Sequence, residues 1–103
     1  MEFWHFGVPS VTGVERMAQT CEELNFDGLT LTDSQNLSNE IYIALTLAAK
    51  ATNFLKLGPG VTNPITRNAA VTASAAATLQ EVSNGRIMIG VGRGDSSLFN
   101  IGV

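Results

Sequence analysis

At 103 residues the chain is at most one domain, and a modest one for burying a core. An apolar fraction of 45% against 15% charged residues excludes an intrinsically disordered segment. The net charge of −3, with six scattered basic residues, excludes a nucleic-acid backbone as the partner, while backbone N–H groups remain able to hold a phosphate.

The first residues, Met1-Glu-Phe-Trp-His-Phe6, lack a basic leader region and a long apolar run, so no secretion signal is expected. No stretch approaches 18 apolar residues, so no membrane span is expected either, and the chain reads as cytoplasmic. A first strand is predicted at Phe3–Phe6, followed by the turn-rich Gly7-Val8-Pro9-Ser10. His5 on this strand reads as structural rather than as an acid or base, and Trp4 as packing rather than a stacking platform.

Next comes a helix with Thr12 and Glu15 at capping-box spacing and Val14, Met17, Ala18, Cys21 and Leu24 on one face. Cys21 is the sole cysteine, so no disulfide is expected, and its place on the apolar face marks a buried thiol rather than a nucleophile. A second strand, Gly28–Leu31, runs into Thr32-Asp33-Ser34. Asn36-Leu-Ser38 matches a glycosylation sequon, which means little without a secretion signal. The second helix is expected to start near Ser38 or Asn39, burying Ile41, Ala44, Leu45 and Ala48.

The third strand, Leu55–Leu57, ends in Gly58-Pro59-Gly60-Val61-Thr62-Asn63. Glycine and proline weaken strands, so this run is either a bulge or unusual peptide beside a flat ligand, or a simple turn. A third helix follows Thr66 with Val71, Ala75, Leu79 and Val82 as its stripe, and Gly85 is expected to take the left-handed position beyond its end. The last strand, Ile87–Val91, leads into Gly92-Arg93-Gly94-Asp95-Ser96. Gly90-x-Gly92-x-Gly94 is a poor dinucleotide fingerprint, since no helix of the required spacing is evident after it. No His/Cys/Asp grouping has metal-ligand spacing, and no Ser–His pair suggests acyl transfer.

Strands starting at residues 3, 28, 55 and 87, separated by helices, predict an α/β fold with parallel pairing, each interval being about one βα unit. If sequence neighbours are sheet neighbours, all helices fall on one side. The expectation is therefore a (βα)4 portion of a TIM-type (β/α)8 barrel, incomplete as a single chain, because closure takes about eight strands. Residues 1–103 would form the N-terminal half or less of a barrel domain, completed by residues beyond Val103 or by a second copy as a homo-oligomer. Every predicted strand ends in glycine or polar residues at its C-terminal end, the edge at which parallel α/β proteins gather ligands. The opposite ends, Phe26-Asp27, Asn53-Phe54 and Asn84-Gly85, look like plain turns.

Leu57-Gly-Pro-Gly-Val-Thr-Asn-Pro64, Thr66-Arg67, Val71-Thr-Ala-Ser74, Ala77-Thr-Leu79 and Asn84-Gly-Arg86 through Gly90-Val-Gly-Arg-Gly-Asp95 occur in an order that resembles the bacterial luciferase-like superfamily. Among its members the match is closest to the deazaflavin-dependent oxidoreductases of the methylene-tetrahydromethanopterin reductase type, and Thr30-Leu-Thr-Asp33 agrees with their second strand. The resemblance implies a cis peptide at Gly60-Val61 backing a tricyclic ring. It also implies a cofactor cleft formed by Asp33, Ser34, Gly60, Val61, Thr62, Gly94, Asp95 and Ser96. Two positions depart from the family: Ser34 stands where many relatives have His, and Asn68-Ala69 replaces His-Pro after Thr66-Arg67. The catalytic residue is left unassigned by the first departure.

The implied function is hydride transfer between coenzyme F-420, a deazaflavin, and a small organic substrate, performed by a parent oxidoreductase of which this is a fragment. The alternatives are an FMN-dependent luciferase-like monooxygenase, or a non-catalytic half-barrel that associates with itself. The isolated chain is expected to be inactive, because most phosphate contacts in the family come from later strands.

Overall fold

The computed structural model describes residues 1–103 as three strands and four helices: β1 (Trp4–Gly7), α1 (Val14–Glu23), β2 (Gly28–Leu31), α2 (Ile41–Lys50), β3 (Lys56–Pro59), α3 (Ala69–Val82) and α4 (Asp95–Asn100). The sheet is parallel, in the order β1-β2-β3, with Leu29 opposite His5 and Leu57. Sequence neighbours are thus sheet neighbours. α1 packs on α2 and α2 on α3, which places these helices over one face of the sheet.

Strand alternation decides which side chains meet them. Leu29, Leu31 and Leu57 point at the helices and are fully buried with Val14, Ala18, Ile41, Ala44, Leu45 and Ala48. Each buried leucine contributes about 2 kcal/mol relative to exposure. The other face carries Trp4, Phe6, Thr30 and Lys56, and Phe6 is 61% exposed. This open face is the side that would be the interior of a closed barrel.

The expected fourth strand is the main correction. Residues 87–91 lie beside β3 in parallel, but only as isolated bridges, Leu57 to Ile87 and Thr62 to Val91. Pro59 has no N–H to give the Met88 carbonyl, and the pairing slips by one residue across the Gly60-Val61 peptide before resuming at Thr62, so no continuous ladder forms. A second correction lies just beyond. Helix α4 begins at Asp95, directly after Gly94, where no helix was evident from spacing.

Several helix ends also differ from expectation. The Thr12/Glu15 capping box does not form: Gly13 is the N-cap with no side-chain bond, and Thr12 bonds the Ser10 hydroxyl instead. Leu24 falls in the C-cap and is exposed rather than on the buried face. Helix α2 starts at Ile41, capped by the Glu40 carboxylate accepting from the Ile43 N–H, while Asn39 is drawn away to Val11. Of the α3 stripe only Leu79 is buried, because α3 has a helical neighbour on one side only. At its end the left-handed C′ residue is Asn84, followed by Gly85 with φ 86°. The Asn84 N–H reaches the Glu81 carbonyl and the Gly85 N–H the Gln80 carbonyl, as in a Schellman motif.

Candidate functional site

At the C-terminal edge of the sheet, the ends of β2 and β3 and the loop before α4 converge on a cleft of about 240 Å³. Its walls are Thr32, Asp33 and Ser34 on one side and Gly94, Asp95, Ser96 and Ser97 on the other. Gly60 and Val61 lie between them, and their peptide bond is cis, as the resemblance implied. Seven of the eight expected cleft residues therefore meet. The eighth, Thr62, is 1% exposed and sits behind the wall.

Val61 and Gly60 also border a second trough of about 350 Å³ on the open sheet face, with Trp4, Thr30, Pro59, Met88, Ile89 and Gly90. A polar cleft and an apolar trough thus share one partition. Local sequence explains how tightly it is built: a Cβ on Gly60 would stand 2.7 Å from the Thr30 Cβ, and one on Gly90 would stand 2.8 Å from the Pro59 carbonyl. Gly94 adopts φ 75°, and a Cβ there would lie 2.7 Å from the Asn63 Cβ. These glycines are present because backbone and side chain approach too closely for anything larger.

Asp33 is the most heavily engaged polar group. The Arg67 guanidinium donates to it in a fork, Nη1 to Oδ2 at 2.6 Å and Nη2 to Oδ1 at 3.2 Å. The Thr62 hydroxyl donates to Oδ2 at 2.8 Å and the Gln35 amide to Oδ1 at 2.8 Å. Arg67 reaches on to Glu40 at 2.9 Å and lies 4.7 Å above the Tyr42 ring. Burial works to raise the Asp33 pKa, but Arg67 and Thr62 outweigh it and hold the carboxyl below its ordinary value of 3.8. Burial raises the Tyr42 phenol and the Cys21 thiol, which leaves Cys21 an unreactive core thiol.

Asp95 is exposed, with Arg93 3.6 Å away. His5 lies far from this edge, its ring edge-on to Phe26 at 6.1 Å, and Trp4 packs over Gly28. Trp4 also borders the apolar trough beside Val61, and His5 is exposed. Thr32 belongs to the polar ending of β2, whereas nothing local in the sequence marks Ser97 or the pairing of Arg67 with Asp33.

The lowered Asp33 and Glu22 pKa values carry a sign. A carboxyl depressed in the folded state contributes stability that is complete above its unfolded pKa and is lost as pH falls through the folded one. Urea unfolding midpoints are therefore expected to stay level from neutral pH to about pH 5 and to fall below about pH 4. A midpoint that rises on acidification would contradict this.

The sequence profile of the family described as "Luciferase-like monooxygenase" matches residues 5–102. The 5,10-methylenetetrahydromethanopterin reductase of Methanolobus tindarius is 44% identical over 95 residues, spanning 90% of this chain and 29% of that protein. The solved coenzyme F-420-dependent tetrahydromethanopterin reductase from Methanopyrus kandleri superposes with a TM-score of 0.93 at 35% identity, over 99% of this chain and 30% of that one. The FMN-bound oxygenating constituent of 3,6-diketocamphane monooxygenase from Pseudomonas putida, at 17% identity, shares the fold with a TM-score of 0.83 over all of this chain and 33% of that one. The chain thus spans less than a third of the length of the relatives it matches.

Proposed function

From the premise that the chain belongs to the luciferase-like monooxygenase family, we propose that it forms the first βα units of a TIM-type barrel oxidoreductase, with residues 1–103 as the N-terminal half or less of that domain. Its cleft would seat the ring of coenzyme F-420. The observation that carries this reading is the partition at Gly60-Val61, polar on one side and apolar on the other. A flat ring with an apolar face and a hydrogen-bonding rim matches the polar side, where Val61 is set among hydroxyl-bearing residues, and the trough leaves Val61 backed by apolar groups. When bound, a deazaflavin supplies two-electron hydride transfer; the protein's part is to bind and orient it against a small organic substrate.

Val61, 46% exposed, and Gly60 would back the ring. The hydroxyls of Thr32, Ser34 and Ser96 would bond its rim, with Gly94 and Asp95 closing the far wall. Asp33, within the wall, is held by Thr62 from behind. F-420 is favoured over FMN by the 35% identity to the coenzyme F-420-dependent reductase, against a likeness of fold alone to the FMN enzyme. No helix of the chain is long and apolar enough to cross a membrane, in keeping with a cytoplasmic enzyme.

The open sheet face supports a second reading, in which the chain is a non-catalytic half-barrel that pairs with a second copy. Phe6 and Met88 expose apolar surface there. On the leading reading the same face packs against the remaining strands of the barrel.

Titration of the chain with F-420 and with FMN, followed by amide NMR, distinguishes these. F-420 is expected to shift Ser34, Val61 and Ser96 at least tenfold more tightly than FMN, without turnover. Val61→Glu, which puts a charge against the ring face, is expected to abolish the response. Preference for FMN would support the monooxygenase alternative. Silence to both ligands, with a discrete dimer in sedimentation, would support the half-barrel.

A further inference from the structure

We propose that Arg67 is a positioning residue that commits Asp33 to a fixed structural anchor, so that this carboxylate neither binds the ligand nor moves a proton in the cleft. A carboxylate offers about four lone-pair positions. In Asp33 all are occupied, by Arg67 twice, by Thr62 and by Gln35. Its side chain is 2% exposed and that of Arg67 14%. Asp33 lines the cleft but has nothing left to offer a ligand.

The anchor joins three loops. Asp33 follows β2, Thr62 follows β3, and Glu40 and Tyr42 open α2; Arg67 touches the first, the third and the fourth of these residues. Glu40 does two jobs at once: Oε2 caps α2 and Oε1 holds Arg67. Thr62 carries the link onward, because its N–H donates to the Gly90 carbonyl and its carbonyl accepts from the Gly92 N–H. Gly94 and the start of α4, which bears Asp95 and Ser96, are therefore registered against β2 through Asp33. Removing Arg67 frees a buried carboxylate and loosens the opposite wall together.

The charged and titratable groups facing Asp33 are Arg67, Glu40 and Tyr42, with Asp95 across the cleft. Arg67 is the only cation among them. The consequence for proton handling rests on the function proposed above; the anchor itself does not.

The test is a carboxyl-carbon NMR titration of Asp33 in the intact chain, Arg67→Lys and Arg67→Met. In the wild type the signal should stay that of an ionised carboxylate down to below its ordinary value of 3.8. In Arg67→Met its midpoint should rise well above that of the wild type, since burial is then opposed only by the Thr62 and Gln35 hydrogen bonds. Arg67→Lys keeps one charge without the fork and should fall between the two. The amides of Gly92 and Gly94 should shift in Arg67→Met and recover largely in Arg67→Lys. A wild-type midpoint at or above the ordinary value would overturn the proposal, as would an Arg67→Met signal that does not move. If Arg67→Met does not fold, an Arg67→Lys midpoint equal to wild type overturns it alone. Failure of F-420 to bind any form, with Asp33 titrating as described, would sink the proposed function and leave the anchor standing.

Discussion

Gly58→Ala is expected to destabilise the chain by about 3 kcal/mol or more, enough to leave so small a domain largely unfolded at 25 °C. A Cβ built on Gly58 would lie 1.6 Å from the Met88 backbone carbonyl oxygen. No rotamer relieves a collision between a Cβ and a main-chain atom, so the segment after Arg86 must move away. That segment is held by the Met88 N–H on the Leu57 carbonyl at 2.9 Å and the Gly90 N–H on the Pro59 carbonyl at 3.1 Å. The Leu57 N–H also bonds the Arg86 carbonyl. Shifting the segment breaks these bonds at roughly 1 kcal/mol each and opens one wall of the site. Urea unfolding followed by the single tryptophan, Trp4, is the measurement. A change within 0.5 kcal/mol of zero would show that the segment yields freely.

Replacing Arg86 by Met is expected to cost on the order of 3 kcal/mol, and by Lys about half as much. All five guanidinium donors are used: Nε on the Ser83 carbonyl, Nη1 on the Thr52 hydroxyl and the Leu55 carbonyl, and Nη2 on the carbonyls of Ala49 and Thr52. One side chain thereby closes the end of α2, the approach to β3 and the end of α3. Burial lowers the Arg86 pKa, against which the Glu22 carboxylate works. Glu22 itself accepts from the N–H groups of Asn53, Phe54 and Leu55. Methionine fills the volume but leaves four carbonyls without their partner, and lysine has three donors in place of five. Equal stability of Arg86→Lys and wild type in the same urea measurement would refute the role of the fork.

These two residues mark the boundary of what was legible. Arg86 and Gly58 were visible as parts of motifs, yet nothing in the order of residues says that 86 meets 49, 52 and 55. The turns at that end of the sheet looked plain because their chemistry is long-range. Glu22 and Arg86 stitch together segments about 30 residues apart in sequence. The cleft was more accessible to sequence: each strand's polar ending identified the edge, and the family resemblance selected the residues along it. Arg67 could have been found by asking what neutralises Asp33 once it is buried, but burial itself is a tertiary property.

By itself the sequence determined the alternation of strands and helices as far as α3, the buried stripe of α2 and most of that of α1, and the parallel sheet. Each of these follows from local periodicity and from connections too long for hairpins. Only the tertiary structure decided that residues 87–91 bridge β3 without a full ladder, that α3 leaves most of its stripe uncovered, and that Asp33 is anchored rather than free. Those outcomes depend on how closely two backbones approach and on which charges share one buried volume, and no local pattern encodes either.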